Sequence, residues 1–187
     1  IDTGVVAAST AIQVTLSLQV DETLTFCTGT SITGTNCGTA TGSTVNLGIG
    51  STTATSTGTS IMAASTNAVL GYTITVSGGT LTSGSNTITA LASGATSSIG
   101  TKQFGLNLVA NTVPSVGTGV SGSGTATPTV NYGTSNTFRL GTGESVATIG
   151  GVTNANTFTV SYIANIDGST PAGNYTTTLT YVATPNF

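Results

Sequence analysis

The stretch IQVTLSLQV, residues 12–20, alternates apolar and polar side chains without an exception. Its apolar positions are Ile12, Val14, Leu16, Leu18 and Val20. Successive side chains of a β-strand point to opposite faces, so a period of two gives this segment one apolar face and one polar face. The pattern predicts a β-strand with one buried face.

Shorter runs of the same alternation recur along the chain between clusters of Gly, Ser and Asn that are typical of turns. They predict strands at residues 24–27, 45–49, 72–76, 87–91, 104–109, 137–140, 146–149, 157–165 and 175–183. The last two are expected to form an antiparallel hairpin, because Asp-Gly and Pro-Ala-Gly steps between them supply turn geometry. The core side chains predicted for this pair are Phe158, Val160, Tyr162, Leu179 and Tyr181.

Residues 61–70 fit a short helix and a strand equally well, since Ile61, Ala64 and Ala68 could share one helical face. Many short strands separated by turns predict an all-β fold, an antiparallel β-sandwich of immunoglobulin-like or jelly-roll type. A mean hydropathy of +0.32 with only 4% charged residues excludes the disordered class. We expect a single domain over residues 21–187, preceded by an N-terminal extension over residues 1–20.

The residues that carry most enzyme chemistry are scarce. The chain has no His, two basic and five acidic residues, so a Ser nucleophile would lack a base and a metal would lack ligands. Asp21 and Glu22 are adjacent and would point to opposite faces of a strand. Glu144 and Asp167 are weak calcium candidates in loops, and Lys102 is a weak candidate for an isopeptide bond to an Asn. We therefore expect no enzymatic activity, no cofactor and no metal.

The charge pattern and the cysteines bear on partners and location. A net charge of −3 with only two basic residues gives no basic patch for nucleic acid. Cys27 and Cys37 enclose the turn-forming segment TGTSITGTN, which predicts a disulfide and an oxidising compartment, with two free thiols as the alternative. No apolar run approaches the length that spans a bilayer, and a start at Ile1 without Met suggests a processed chain. An extracellular location is expected.

Three segments carry a family resemblance: IDGSTPAGNYTTTLTYVATPNF (residues 166–187), QFGLNLVANTVPSVG (103–117) and NAVLGYTITVSGGTLT (67–82). Together they resemble a group of secreted Thr/Gly-rich β-sandwich proteins of ultra-small bacteria. The element PAGNYTTTLTY, residues 171–181, is similar to the final strand of spore-coat-U, WxL and pilin-type surface domains. The resemblance implies a β-sandwich at the cell surface and assigns no catalytic residue.

Three classes of function remain open. The first is the structural subunit of an extracellular filament, a pilus or fibre that is a homopolymer of this chain. The second is a monomeric adhesion or carbohydrate-binding module with surface glycans as partners, and the third is a small outer-membrane β-barrel. Low charge favours the first class, because repeated subunits then accumulate little repulsion. In it, residues 1–20 would leave their own domain and donate a strand to a neighbour through the anchors Ile12, Val14, Leu16, Leu18 and Val20. The alternatives are that this segment is the first strand of its own sandwich, or that the C-terminal strand is the donor.

Overall fold

The computed structural model describes residues 1, 3–5 and 9–186 of the 187-residue chain. Residues 2 and 6–8 of the predicted extension therefore lie outside the described residues. The described part contains thirteen β-strands and one 3-10 turn, Cys37–Thr39. In chain order, β1 to β13 are Leu24–Gly29, Ser56–Thr66, Tyr72–Gly78, Thr82–Ser83, Asn86–Thr87, Gln103–Asn107, Asn111–Thr112, Ser115–Val116, Ser121–Gly122, Thr127–Pro128, Glu144–Ile149, Thr153–Asn165 and Leu179–Pro185.

Two antiparallel sheets form the body of the protein. The first sheet has the order β1-β2-β12-β6, with β9 also paired to β12. The second has the order β10-β11-β3-β13. The two-stranded pairs β4-β5 and β7-β8 are short hairpins outside these sheets. The two sheets enclose one main hydrophobic core, so the predicted β-sandwich is confirmed.

The core follows the alternation of the strands. Phe158 and Val160 of β12 are fully buried, and Tyr162 is 7% exposed, as the sequence predicts. Leu179 and Tyr181 of β13 face the same core but are only partly buried. Ile163, on the opposite face of β12, is also buried, because Val116 and Phe138 cover it in a second, smaller cluster. In the alternation of residues 157–165, Ile163 shares a phase with Thr159 and Ser161, so the sequence pattern assigns it to the polar face.

The predicted hairpin between residues 157–165 and 175–183 is wrong. β12 lies in the first sheet, whereas β13 lies in the second sheet and pairs with β3. The connection, residues 166–178, crosses from one sheet to the other. The apolar faces of the two strands consequently meet across the core, where the hydroxyls of Tyr162 and Tyr181 lie 2.8 Å apart.

Residues 61–70 are not helical. β2 continues through Thr66, because Met62 and Ala64 point into the core while β1 and β12 pair with the strand on both sides. The following turn needs a glycine: at Gly71, where φ is +77°, a Cβ would lie 2.0 Å from the carbonyl oxygen of Ile149.

Several predicted strands are shorter than expected or lack a ladder. Residues 87–91 form a strand only at their start, and residues 137–140 contribute isolated bridges. Residues 12–20 and 45–49 belong to no ladder of the described chain. Residues 45–49 line the cleft described next, whereas residues 12–20 are not part of its lining.

Candidate functional site

The five predicted anchors of the N-terminal segment are all exposed to solvent. The exposed fractions are 86% for Ile12, 77% for Val14, 90% for Leu16, 90% for Leu18 and 73% for Val20. Within the described residues, the first strand of either sheet begins at Leu24. Exposure of an apolar series of this length to water is unfavourable unless a partner covers it.

The segment emerges from the domain at a defined point. The main-chain N–H of Thr23 donates to Oδ1 of Asn67 at 2.6 Å, and Nδ2 of Asn67 donates to the carbonyl oxygen of Asp21 at 3.0 Å. Asn67 immediately follows β2, so these bonds hold the chain beside the Leu24 end of β1. The predicted extension thus starts at one pole of the sandwich.

A large cleft opens near the other end of β1. Its volume is about 1210 Å³, and its lining includes Thr28 and Gly29, the last residues of β1. Two continuous segments, residues 42–50 and residues 170–179, contribute much of this lining. The larger apolar and aromatic side chains that line it are Val45, Leu47, Ile49, Leu81, Ile88, Phe104, Tyr162, Ile166, Tyr175, Leu179 and Tyr181.

Edge strands of both sheets contribute residues to the cleft. β1 is the edge strand of the first sheet and β13 is the edge strand of the second. Their inward side chains, such as Phe26 and Leu179, pack on the core but stay partly exposed. An edge strand with a free row of main-chain groups beside an apolar cleft is the usual acceptor for an additional strand.

Three hydroxyl groups join the two sheets at the floor of the cleft. The hydroxyl of Tyr162 lies 2.8 Å from Oγ of Ser60 and 2.8 Å from the hydroxyl of Tyr181. Burial is the main reason why the pKa values of Tyr162 and Tyr181 are raised above their usual range. Both phenols stay protonated at neutral pH, so each can donate as well as accept in this chain of hydrogen bonds.

The predicted disulfide is present between Cys27 and Cys37. It joins β1 to the 3-10 turn within the excursion of residues 30–41, whose ends are also held by antiparallel pairing of Ser31 with Thr41. The disulfide and this pairing fix the chain just before residues 42–50 begin to line the cleft. The two cysteines therefore stabilise one side of the site.

Four charged residues lie in two local ion pairs, Arg139 with Glu144 and Lys102 with Asp167. Nε of Arg139 donates to Oε2 of Glu144 at 2.7 Å, and the hydroxyl of Tyr132 donates to the same oxygen at 2.8 Å. The hydrogen bond from Arg139 is the main reason why the pKa of Glu144 is lowered. Lys102 lies 3.7 Å from Asp167, whose Oδ1 also accepts from the Ser169 main chain.

Asp21 and Glu22 lie at the exposed entry to β1. Over residues 1, 3–5 and 9–186, no three His, Cys, Asp or Glu side chains come together as a metal-binding group. In the same residues, no helix is long and apolar enough to cross a membrane.

Comparison with known proteins finds no matching family model, curated protein or solved structure. The function of the chain is therefore inferred from its own geometry. Sequence reasoning had predicted the disulfide, which is confirmed, whereas the role of Ile12, Val14, Leu16, Leu18 and Val20 as donor-strand anchors stays a prediction. It had missed the cleft, which combines residues from many separate segments. The alternation at residues 45–49 was the one local signal of it.

Proposed function

We propose that the chain is the structural subunit of an extracellular filament, in which residues 12–20 of one copy fill the cleft of the next copy. One observation carries this proposal. The chain has a series of exposed apolar side chains in strand alternation, and also an apolar cleft with free strand edges that such a series would fill. The exposed side chains need an apolar surface to cover them, and the cleft needs a strand to fill it.

Burial of the anchors supplies enough free energy for a durable joint. A fully buried Val, Leu or Ile side chain contributes about 1.5 to 3 kcal/mol. The five anchors would then contribute about 7 to 15 kcal/mol before the costs of association and ordering. Main-chain hydrogen bonds to the free edge would add register and specificity.

The positions of segment and cleft favour an open chain of subunits. The segment emerges beside Asn67 at the Leu24 end of β1, whereas the cleft is lined by residues at the Gly29 end. A donor at one pole and an acceptor near the other make a heterologous contact, and such contacts extend into filaments when the rotation does not close a ring. The low charge of the chain, −3 in total, limits repulsion between neighbouring copies.

The disulfide supports the proposed location. Disulfides persist in oxidising compartments, so the bond between Cys27 and Cys37 is compatible with secretion. In this proposal the filament is a cell-surface appendage and the partner of each chain is another copy of itself.

The test compares two full-length variants that add the same charge to opposite phases of the segment. The anchor variant carries Leu16→Asp and Leu18→Asp, and the control variant carries Thr15→Asp and Ser17→Asp. All four positions are exposed in the single chain, so both variants should fold like the natural protein.

Electron microscopy and size-exclusion chromatography report the outcome. We expect filaments from the natural chain and from the control variant, and monomers from the anchor variant, because a carboxylate cannot be buried unpaired in an apolar pocket. Filaments from the anchor variant would contradict the proposal. A natural chain that fills its own cleft and stays monomeric at all concentrations would contradict it as well.

A further inference from the structure

The side of the cleft opposite β13 has the features of an unpaired strand. In the described chain, the main-chain N–H and C=O groups of residues 43–47 have no main-chain hydrogen-bond partner. Yet Val45 and Leu47 alternate with exposed Thr44 and Asn46, and both apolar side chains pack against the main core. Alternating burial without a ladder is unusual, because strand main-chain groups are normally paired.

These residues lie in the layer of the second sheet. A Cβ at Gly58 of β2 would come within 2.5 Å of Cγ1 of Val45 and 2.8 Å of Cδ2 of Leu47. Gly58 lies opposite Tyr162 in the first sheet, so Val45 and Leu47 cover the inner face of that sheet. Leu179 and Tyr181 of β13 line the same cleft.

We propose that residues 43–47, here named the wall segment, become a strand when the cleft is filled, pairing through their main chain with residues 12–20 of a neighbouring copy. This inference rests on the proposed function. The donor would lie between β13 and the wall segment, with ladders on both sides, and would extend the second sheet by two strands. The acceptor would then recognise the donor through two free edges and not through β13 alone.

The directions of the two sides are compatible with such an insertion. β1 begins next to Pro185, the last residue of β13, since Leu24 and Pro185 border the same small cavity, so β1 and β13 run in opposite directions. The chain after β1 continues toward Ile166, whose Cδ1 would lie 3.2 Å from a Cβ at Gly50. Ile166 follows the end of β12, which runs parallel to β1. The wall segment therefore runs opposite to β13, and a donor between them is antiparallel to one and parallel to the other.

The end of the wall segment is set by a glycine. Gly48 has a φ of +79°, a left-handed conformation that does not continue a strand. Ile49 beyond it is 96% exposed and does not join the core as Val45 and Leu47 do. The new ladder is thus limited to residues 43–47.

Hydrogen exchange of the full-length anchor variant tests the inference, because that variant cannot donate but keeps its cleft. It is mixed with a synthetic peptide of residues 9–23, and binding is measured by fluorescence anisotropy of the labelled peptide. The control peptide carries Leu16→Asp and Leu18→Asp. Amide exchange is then followed by mass spectrometry at residues 43–47 and, as an internal reference, at the turn of residues 150–151.

We expect binding of the natural peptide to slow exchange at residues 43–47 by at least about tenfold, since hydrogen-bonded amides exchange only after local opening. Residues 150–151 should exchange as before, and the control peptide should change nothing. Binding of the natural peptide with unchanged exchange at residues 43–47 would overturn this inference and leave the proposed function standing. Failure of the natural peptide to bind would overturn both.

Discussion

Replacement of Leu179 by Ala should have two separate effects. It should lower the unfolding free energy of the single chain, and it should weaken the proposed binding of a donor strand. Leu179 lies on β13, packs partly against the core and lines the cleft. A Leu→Ala change costs about 2 to 5 kcal/mol of unfolding free energy where the side chain is fully buried. Because part of Leu179 still meets solvent, we expect a cost of about 1 to 3 kcal/mol in the single chain. In the proposed filament, a donor strand would bury the remaining surface of Leu179, worth about 1 kcal/mol, so its loss would weaken binding by about fivefold.

Two measurements on the anchor variant check this prediction. Urea unfolding with and without Leu179→Ala gives the cost in the single chain, and titration with the peptide of residues 9–23 gives the change in affinity. Val182→Ala is the matched control, since Val182 lies on the opposite face of the same strand and is 47% exposed. A cost for Leu179→Ala below about 0.5 kcal/mol, or one no larger than that of Val182→Ala, would show that the assigned face of β13 is wrong. An unchanged affinity would show that the donor does not contact Leu179.

Two further predictions concern the disulfide and the ion pair between Arg139 and Glu144. Replacing Cys27 and Cys37 by Ser should lower the unfolding free energy by about 3 kcal/mol, because the unfolded chain is then no longer restricted by the loop that the disulfide closes. Equal urea midpoints for the natural chain and the variant would contradict this. The pKa of Glu144 is lowered in the folded state, mainly by the hydrogen bond from Arg139, so its charge stabilises the fold above the ordinary glutamate pKa of about 4.3 and that contribution is lost as the pH falls through the folded value. Unfolding of the natural chain and of Glu144→Gln at pH 7 and pH 3 should therefore show the larger loss on acidification in the natural chain, and equal losses would contradict the assignment.

The sequence predicts the parts of the fold that depend on local alternation. β3 and β12 are strands where period two is clear, and Phe158 and Val160 are buried as predicted. What fails is the assignment of partners. A buried face fixes which side chains point inward, but the same pattern fits strands that pair within one sheet and strands that face each other across a sandwich. Tyr162 and Tyr181 illustrate the second case, because their hydroxyls meet between the sheets.

In the candidate site too, sequence patterns predict local features but not contacts between distant segments. Cys27 and Cys37 are close in sequence, so their bond could be predicted from spacing alone. The cleft could not, because Ser60, Phe104 and Leu179 come together only through the strand order of two sheets. Nor does any local pattern report that Gly58 leaves space for Val45 and Leu47.

Two segments of the described chain, residues 12–20 and residues 43–47, alternate like strands but belong to no ladder. Alternation predicts burial of one face and pairing of the main chain, and the single chain satisfies neither for residues 12–20 and only the first for residues 43–47. Both conditions would be met at once if the first segment of one copy lay beside the second segment of another, since each would then pair with the other and the apolar anchors would be covered. The proposed assembly would therefore account for both patterns through one contact between two copies.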